Sequence, residues 1–257
     1  MLKISERLKA VAAMVPEGSV LADVGTDHGY VPIYLLEQKK IPHAIAMDIR
    51  SGPLARAKEH IADYGMGDYI QTRLSDGVAA LAPGEADTIL IAGMGGGLVM
   101  HILREGEAVC HAAKHIILQP QSELARVRAW LCQRGYVTEL EDMVEEDGKY
   151  YPMLRVHYEA DGESNVLTED EKLDAWIEEA AEEEQLGFYY GSGLLEMHHP
   201  VLKKYLLWEA EICNSIESGL KKQSESERIS ARSRELVGQK ARNREALRRM
   251  EMEESDE

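Results

Sequence analysis

Hydrophobic and polar positions divide the first 160 residues into short apolar runs that alternate with amphipathic stretches. Apolar runs bounded by turn residues are typical of buried strands, and a repeat of three to four residues is typical of helices. Strands separated by single helices indicate right-handed βαβ units in a parallel, doubly wound sheet. The predicted strands are 19–24, 43–48, 69–75, 87–92, 115–119, 136–144 and 151–158, and the predicted helices are 30–38, 52–64, 98–107 and 124–134.

The last two predicted strands have no helix between them. Residues 145–149 read EEDGK, and a charged Asp-Gly turn between two strand-like runs predicts a β-hairpin. One strand of this hairpin would be antiparallel to the rest of the sheet.

A helical pattern replaces the strands after residue 158. We predict a linker at 159–165, a helix beginning at Thr168 and a glycine-rich loop at 187–200. Apolar residues then recur at helical spacing over 201–220 and again from Ser226, which predicts an antiparallel helical hairpin or coiled coil with a frayed acidic end. The predicted domains are 1–160, an α/β domain, and 161–257, a helical domain.

Composition narrows the class of protein. The 257 residues are 44% hydrophobic, which allows a substantial core, and the first ten residues interleave charge with apolar positions, unlike an export signal. We therefore expect a cytoplasmic protein without a membrane partner. Three widely spaced cysteines and the His198-His199 pair lack the spacing of metal ligands, so we expect no metal.

The net charge of −17 would normally count against a nucleic-acid partner, but the charge is unevenly distributed. Residues 221–249 contain ten Lys or Arg and four Glu. Such a helix could contact phosphates through Arg242, Arg244 and Arg248, or could be a solvated face that packs on the preceding helix.

Ligands of open α/β sheets bind beyond the carboxyl ends of the strands. The first predicted strand leads into Asp23-Val-Gly25-Thr-Asp27-His-Gly29. A dinucleotide fingerprint would need glycines at positions 27 and 30, where this chain has Asp27 and Tyr30. Because a carboxylate would repel a pyrophosphate and attract an amine or a sulfonium, this turn favours S-adenosylmethionine over NAD.

Three later strand ends carry residues suited to the same ligand. Asp48 lies 23 residues after Gly25, at the distance of a ribose-binding acid, Asp76-Gly77 could accept the adenine amine, and residues 92–97 form a glycine-rich turn. Structural alternatives stay open for the members of this set. Among the acids, Asp23 could cap a helix, Asp48 could be a surface acid and Asp76 could close an Asx turn. His28 could bond only to backbone, and Tyr30 could pack on its helix. Met94 could line the pocket, and the glycines of residues 92–97 could serve helix packing.

The segments 23–35, 46–57, 75–78, 91–103 and 116–131 closely resemble the bacterial TrmK family, the S-adenosylmethionine-dependent tRNA (adenine-22-N1)-methyltransferases. The resemblance implies a class I, Rossmann-like methyltransferase domain followed by a C-terminal coiled-coil domain, with tRNA as the partner. It also implies cofactor-binding residues, which we extend to neighbouring positions. The set is Asp23, Gly25, Asp27, Asp48, Ile49, Asp76, Gly77, Ala92, Gly93 and Met94.

Methylation at N1 of adenine needs no strong base, because N1 already carries an in-plane lone pair. The tasks are to expose the base, align N1 with the methyl group and stabilise the charge that reaches the ring. We expect Asp27 to be catalytic, with His28 handling a proton and Tyr30 stacking on the base, and residues 119–121 could line the substrate cleft. Another methyl acceptor, or a non-catalytic RNA-binding protein, stays open, as does the oligomeric state.

Overall fold

The computed structural model describes residues 2–159, 172–222 and 226–251 and divides the chain into two compact units, Met1–Glu179 and Ala180–Glu257. The described residues of the first unit form seven strands in one sheet. These are β1 (Leu21–Val24), β2 (Ala44–Asp48), β3 (Ile70–Leu74), β4 (Thr88–Met94), β5 (His115–Pro120), β6 (Tyr136–Glu146) and β7 (Lys149–Tyr158).

The helices of the first unit connect or precede these strands. They are α1 (Glu6–Met14), α2 (Tyr30–Glu37), α3 (Ser51–Asp63), α4 (Gly96–Glu105), α5 (Glu107–Ala112), α6 (Leu124–Gln133) and α7 (Leu173–Glu179). The sequence predicts a domain boundary at 160/161, whereas α7 groups with the first unit. Residues 160–171, including the helix start expected at Thr168, lie outside the described residues. The functional division into 1–160 and 161–257 stays a prediction.

The strand order is β3-β2-β1-β4-β5-β7-β6, and β7 is the antiparallel exception between β5 and β6. β1, β2, β4 and β5 are almost wholly buried apolar runs, as expected of parallel strands covered on both faces. Asp147 and Gly148 connect β6 to β7 with positive φ at both positions, 51° and 70°. This is the backbone of a type I′ turn, so the predicted hairpin is confirmed.

The second unit is helical. It contains α8 (Glu182–Tyr190), α9 (Ser192–Glu196), α10 (Pro200–Leu220) and α11 (Glu227–Glu251). α10 and α11 pair in opposite directions, since the Asn243 side chain donates to the Leu206 carbonyl near the start of α10 and Lys240 bonds to Glu217 further along. The antiparallel helical pair is confirmed, whereas its supercoiling stays a prediction. The predicted acidic end, 252–257, lies outside the described residues.

The loop predicted over 187–200 is wrong, because most of this segment forms α8, α9 and the first residue of α10. Its glycines serve close packing. A Cβ at Gly187 would overlap the Ser192 hydroxyl, and Gly191, with φ +92°, makes the bend between α8 and α9. Among the described helices, none is both long and apolar enough to cross a bilayer.

Candidate active site at the carboxyl edge of the sheet

The carboxyl ends of the parallel strands β1 to β5 lie along one edge of the sheet, which we call the carboxyl edge. The direction in which successive strands are added to the sheet reverses between β1 and β4, which are parallel. β2 and β3 lie on one side of β1, and β4 and β5 lie on the other. Ligands of open α/β sheets bind at such a switch point. The four predicted motifs all lie at or directly after the ends of strands at this edge.

Asp23 is buried near the end of β1. Its Oδ2 accepts a hydrogen bond of 2.6 Å from the Thr26 hydroxyl, and Thr26 N donates to the Met47 carbonyl of β2. The pKa of the Asp23 carboxyl is raised to about 6, chiefly by burial. The Thr26 hydrogen bond opposes this rise, and the charges of Asp27 and Asp48 add to it. Three carboxylates therefore share this end of the sheet. Asp23 does not cap α2, whose N-cap is Gly29.

The turn between β1 and α2 presents Asp27 to solvent. The Asp27 side chain is 78% exposed, and its Oδ1 lies 3.5 Å from Nε2 of His28. His28 and Gly29 both have left-handed backbone, with φ of 58° and 67°, so the chain reverses sharply before α2 begins at Tyr30. This reversal holds Asp27 at the rim of the carboxyl edge.

An aromatic cluster follows this turn. The rings of His28 and Tyr30 stack at 5.3 Å, and His60 of α3 meets Tyr30 edge-on at 5.2 Å. Nδ1 of His60 also lies 2.8 Å from the His28 carbonyl oxygen, which ties α3 to the turn. Sequence reasoning identified His28 and Tyr30 but missed His60, because no local pattern connects positions 32 residues apart.

Asp48 ends β2 and is 6% exposed, so it is not a surface acid. Its Oδ1 accepts a hydrogen bond of 2.7 Å from Arg50 N, while its carbonyl accepts from Ser75 N after β3. The next residue, Ile49, is 59% exposed. An anchored acid followed by an exposed apolar side chain suits a ribose and its attached base.

The third motif follows β3. Ser75 closes the turn there, since its hydroxyl donates to the Gly77 carbonyl and accepts from Ala80 N. The Asp76 carboxylate is exposed and has no hydrogen-bond partner among the residues described, so Asp76 does not close an Asx turn. Asp76 and Gly77 line a cavity of about 250 Å³ together with His101 and Ile102 of α4.

The glycine-rich fourth motif lies at the end of β4, between the β1 turn and the end of β5. Gly93 has φ +76° within a register irregularity between Ala92 and Met94. The Met94 side chain lies across Gly25, where a Cβ would overlap its terminal methyl carbon. Met94 thus forms a wall beside the β1 turn. Gly96 has a packing role, since a Cβ there would collide with the loop before α6, at the Ser122 carbonyl and the Glu123 side chain.

β5 contributes the Gln119 side chain, which is 1% exposed. Its Oε1 accepts hydrogen bonds from Gly93 N at 3.2 Å and from Arg7 Nη1 at 2.9 Å. Sequence reasoning placed Gln119 near the substrate cleft but missed Arg7, which comes from α1, 112 residues away. No signal in the sequence connects the two positions.

The basic helix α11 belongs to the second unit, and many of its cations are already paired. Arg232 bonds to Glu235, Lys240 to Glu217, and Arg248 and Arg249 to Glu245. The Arg242 guanidinium lies 3.9 Å from the centre of the Tyr189 ring. Arg234 and Arg244 are exposed and form no ion pair within the described ranges of the chain.

Residues 2–159, 172–222 and 226–251 contain no group of three or more His, Cys, Asp or Glu placed to hold a metal ion. The strand order, the antiparallel β7 and the acid-bearing carboxyl edge together define a class I, Rossmann-like methyltransferase fold. Residues 4–154 match the model of the methyltransferase-domain family.

Comparison with individual relatives identifies one family within this class of methyltransferases. The tRNA (adenine(22)-N(1))-methyltransferase of Bacillus subtilis is 42% identical over 153 residues, an alignment that covers 60% of this chain and 64% of the relative's length. The crystal structure of the B. subtilis m1A22 tRNA methyltransferase TrmK superposes with a TM-score of 0.78 at 31% identity, covering 96% of this chain and all of that one.

The structure of Streptococcus pneumoniae Sp1610, a candidate tRNA (m1A22) methyltransferase crystallised with S-adenosyl-L-methionine, gives a TM-score of 0.76 at 31% identity. It covers 95% of this chain and all of that one. The chain belongs to the TrmK family. The predicted family and fold class are therefore confirmed.

Proposed function

We propose that this protein transfers the methyl group of S-adenosylmethionine to N1 of adenine 22 in tRNA. The observation that carries the proposal is the carboxyl edge, where Asp23, Asp27 and Asp48 meet on a class I methyltransferase sheet. The relatives named above are described as tRNA m1A22 methyltransferases, and the choice of adenine 22 rests on them. Because the substrate is a tRNA, we place the reaction in the cytoplasm.

The residues at the carboxyl edge fit the cofactor. S-adenosylmethionine supplies a methyl group activated by a positively charged sulfur and also carries a cationic amine. The buried Asp48 carboxylate can accept the ribose hydroxyls, and exposed Ile49 can pack against the adenine. Asp23 and Asp27 place negative charge beside the β1 turn, where Gly25 packs against the terminal methyl group of Met94. Asp76, Gly77, Ala92, Gly93 and Met94 complete the proposed set.

The acceptor base needs orientation and charge stabilisation. In the proposed mechanism, the exposed Asp27 carboxylate stabilises the positive charge that develops on the adenine ring. Tyr30 stacks on the extruded base while His60 supports the Tyr30 ring from its edge. His28 lies next to Asp27 and can take the proton that the methylated base releases.

tRNA affinity requires phosphate contacts outside the active site. The exposed arginines of α11, Arg234 and Arg244, are suited to this because no carboxylate of the described residues neutralises them. Arg242 and Arg248 are less suited, since one lies over Tyr189 and the other pairs with Glu245.

The test is incubation of the full chain with methyl-labelled S-adenosylmethionine and unmodified tRNA, followed by nucleoside mass spectrometry and mapping of the modified position. We expect 1-methyladenosine at position 22. In Asp27→Asn, kcat should fall about 100- to 1,000-fold, because the substitution removes the charge while keeping the shape.

Asp68→Asn, an exposed acid after α3, is the matched control and should retain full activity. Cofactor binding without transfer to any tRNA would contradict the proposed acceptor. tRNA binding without cofactor binding would favour a non-catalytic RNA-binding protein.

A further inference from the structure

Arg7 is a cation anchored at the carboxyl edge by contacts from several elements. Its Nη1 donates to Gln119 Oε1 at 2.9 Å, and its guanidinium carbon lies 5.5 Å from the centre of the Tyr151 ring. Its backbone N donates to Glu146 Oε1. Arg7 forms no ion pair with any residue in the described parts of the chain. The guanidinium is therefore held in place by an amide and an aromatic ring, without a carboxylate bonded to it.

Gln119 shows that this part of the edge is built to receive a ligand. Its Oε1 accepts two N–H groups, from Arg7 and from Gly93, which fixes the orientation of the amide. Its Nε2 is buried and has no partner within residues 2–159, 172–222 and 226–251. A buried donor without an acceptor costs folding free energy, and a ligand that supplies an acceptor here would offset that cost.

Donors converge around Gly93. A Cβ added at Gly93 would lie 3.9 Å from Arg7 Nη1 and 3.8 Å from Gln121 Nε2. The strand order is β3-β2-β1-β4-β5. These donors lie near the carboxyl ends of β4 and β5, whereas the aspartates of the site lie at the carboxyl ends of β1, β2 and β3. The carboxyl edge therefore has an acidic half suited to a cationic cofactor and a donor half of opposite character.

We propose that Arg7 and Gln119 form a phosphate-binding subsite for the acceptor nucleotide. A guanidinium directed at the adenine ring would oppose methylation, because the ring becomes positively charged. A phosphate next to the extruded base instead pairs with that guanidinium and offers the acceptor that Gln119 Nε2 lacks. In this arrangement Arg7 binds the phosphate and Gln119 positions Arg7. The inference rests on the proposed function and deepens it.

The experiment compares wild type with Arg7→Ala and Arg7→Lys in the full chain. Three quantities are measured: steady-state methylation of unmodified tRNA, S-adenosylmethionine affinity by calorimetry, and tRNA binding across a series of KCl concentrations. For Arg7→Ala we expect KM for tRNA to rise about 10- to 100-fold and the slope of log affinity against log salt to fall by about one, with cofactor affinity within about twofold. Arg7→Lys should recover part of the affinity and the full salt slope, since it keeps the charge but not the bidentate geometry.

Lys114→Ala is the matched control. Lys114 pairs with Asp87 next to the amino ends of β4 and β5, at the opposite edge of the sheet, so its loss should leave KM and the salt slope unchanged. Wild-type KM and salt slope in Arg7→Ala would overturn the subsite. So would a lowered Tm with parallel loss of cofactor affinity and an unchanged salt slope, which would make Arg7 a structural residue. The proposed function fails separately, if wild type itself forms no 1-methyladenosine.

Discussion

Two buried carboxylates, Asp23 in the first unit and Glu209 in the second, have opposite surroundings. Glu209 accepts four hydrogen bonds, from the hydroxyls of Tyr190 and Tyr205 and from the amides of Gln239 and Asn243, at 2.8–3.3 Å. Asp23 accepts one, from Thr26, and its charged neighbours are acids. A buried carboxylate surrounded by donors completes a fold, whereas one left with a single donor beside other acids favours a cationic ligand.

The largest expected effect comes from removing the Glu209 carboxylate, which accepts these four hydrogen bonds. Glu209→Ala leaves four donors without this acceptor, the buried Tyr190 and Asn243 and the half-buried Tyr205 and Gln239. We therefore expect the free energy of unfolding of the second unit to fall by about 4 kcal/mol. Urea denaturation of the full chain measures the change by the fluorescence of Trp208 on the same helix, with Trp130 and Trp176 replaced by Phe in both proteins so that Trp208 alone reports. S-adenosylmethionine affinity of the native protein should not change.

Glu211→Ala is the control for this substitution. Glu211 is exposed on α10 two residues further on, and its loss should change stability by no more than about 0.5 kcal/mol. Equal effects of the two variants would show that the hydrogen-bond cluster does not hold the unit together.

Removing the charge of Asp23 should stabilise the protein near neutral pH, whereas removing Glu209 destabilises it. The reason is that ionisation of the buried Asp23 carboxyl lowers the free energy of unfolding. Its folded pKa of about 6 lies above the ordinary value of 3.8 for an aspartate. The stabilising contribution of this carboxyl is therefore fully present below pH 3.8 and is lost as the pH rises through 6. Relative to wild type, Asp23→Asn should gain about 2 kcal/mol between pH 4 and pH 7.5.

Chemical denaturation at both pH values measures this difference, with Asp68→Asn as a control that should show no such gain. A cationic ligand would favour the ionised form of Asp23. S-adenosylmethionine binding should therefore release a proton below pH 6 and tighten as the pH approaches 6, which calorimetry in two buffers detects. A constant difference between Asp23→Asn and wild type across this pH range would show that Asp23 does not titrate there.

The sequence predicts the sheet and its acidic edge because both depend on local pattern. Every predicted strand is present, and each predicted motif follows a strand, since apolar runs and glycine turns act within a few residues. The loop at 187–200 was mispredicted because glycine there permits contact between two helices, and sequence alone does not separate that role from turn formation. The Arg7–Gln119 and Lys240–Glu217 contacts join distant positions, so tertiary packing alone determines them.

The smallest expected effect concerns the cations of α11, where paired and unpaired side chains can be compared directly. Arg234→Gln/Arg244→Gln removes two exposed charges without ion-pair partners among the described residues, and Arg232→Gln/Arg248→Gln removes two that pair with Glu235 and Glu245. Both variants change the net charge by two units, so long-range attraction to tRNA falls equally. A difference between them therefore reports direct phosphate contact.

We expect the first variant to weaken tRNA binding about five- to tenfold and the second less than about threefold, since each phosphate contact contributes little individually. Filter binding at several salt concentrations measures both, and cofactor affinity should be unchanged in each. Equal weakening would mean that α11 attracts tRNA only through its long-range electrostatic field, without direct phosphate contacts by Arg234 and Arg244. No weakening in either variant would remove the helix from the tRNA-binding surface and leave the donor half of the carboxyl edge to supply the phosphate contacts.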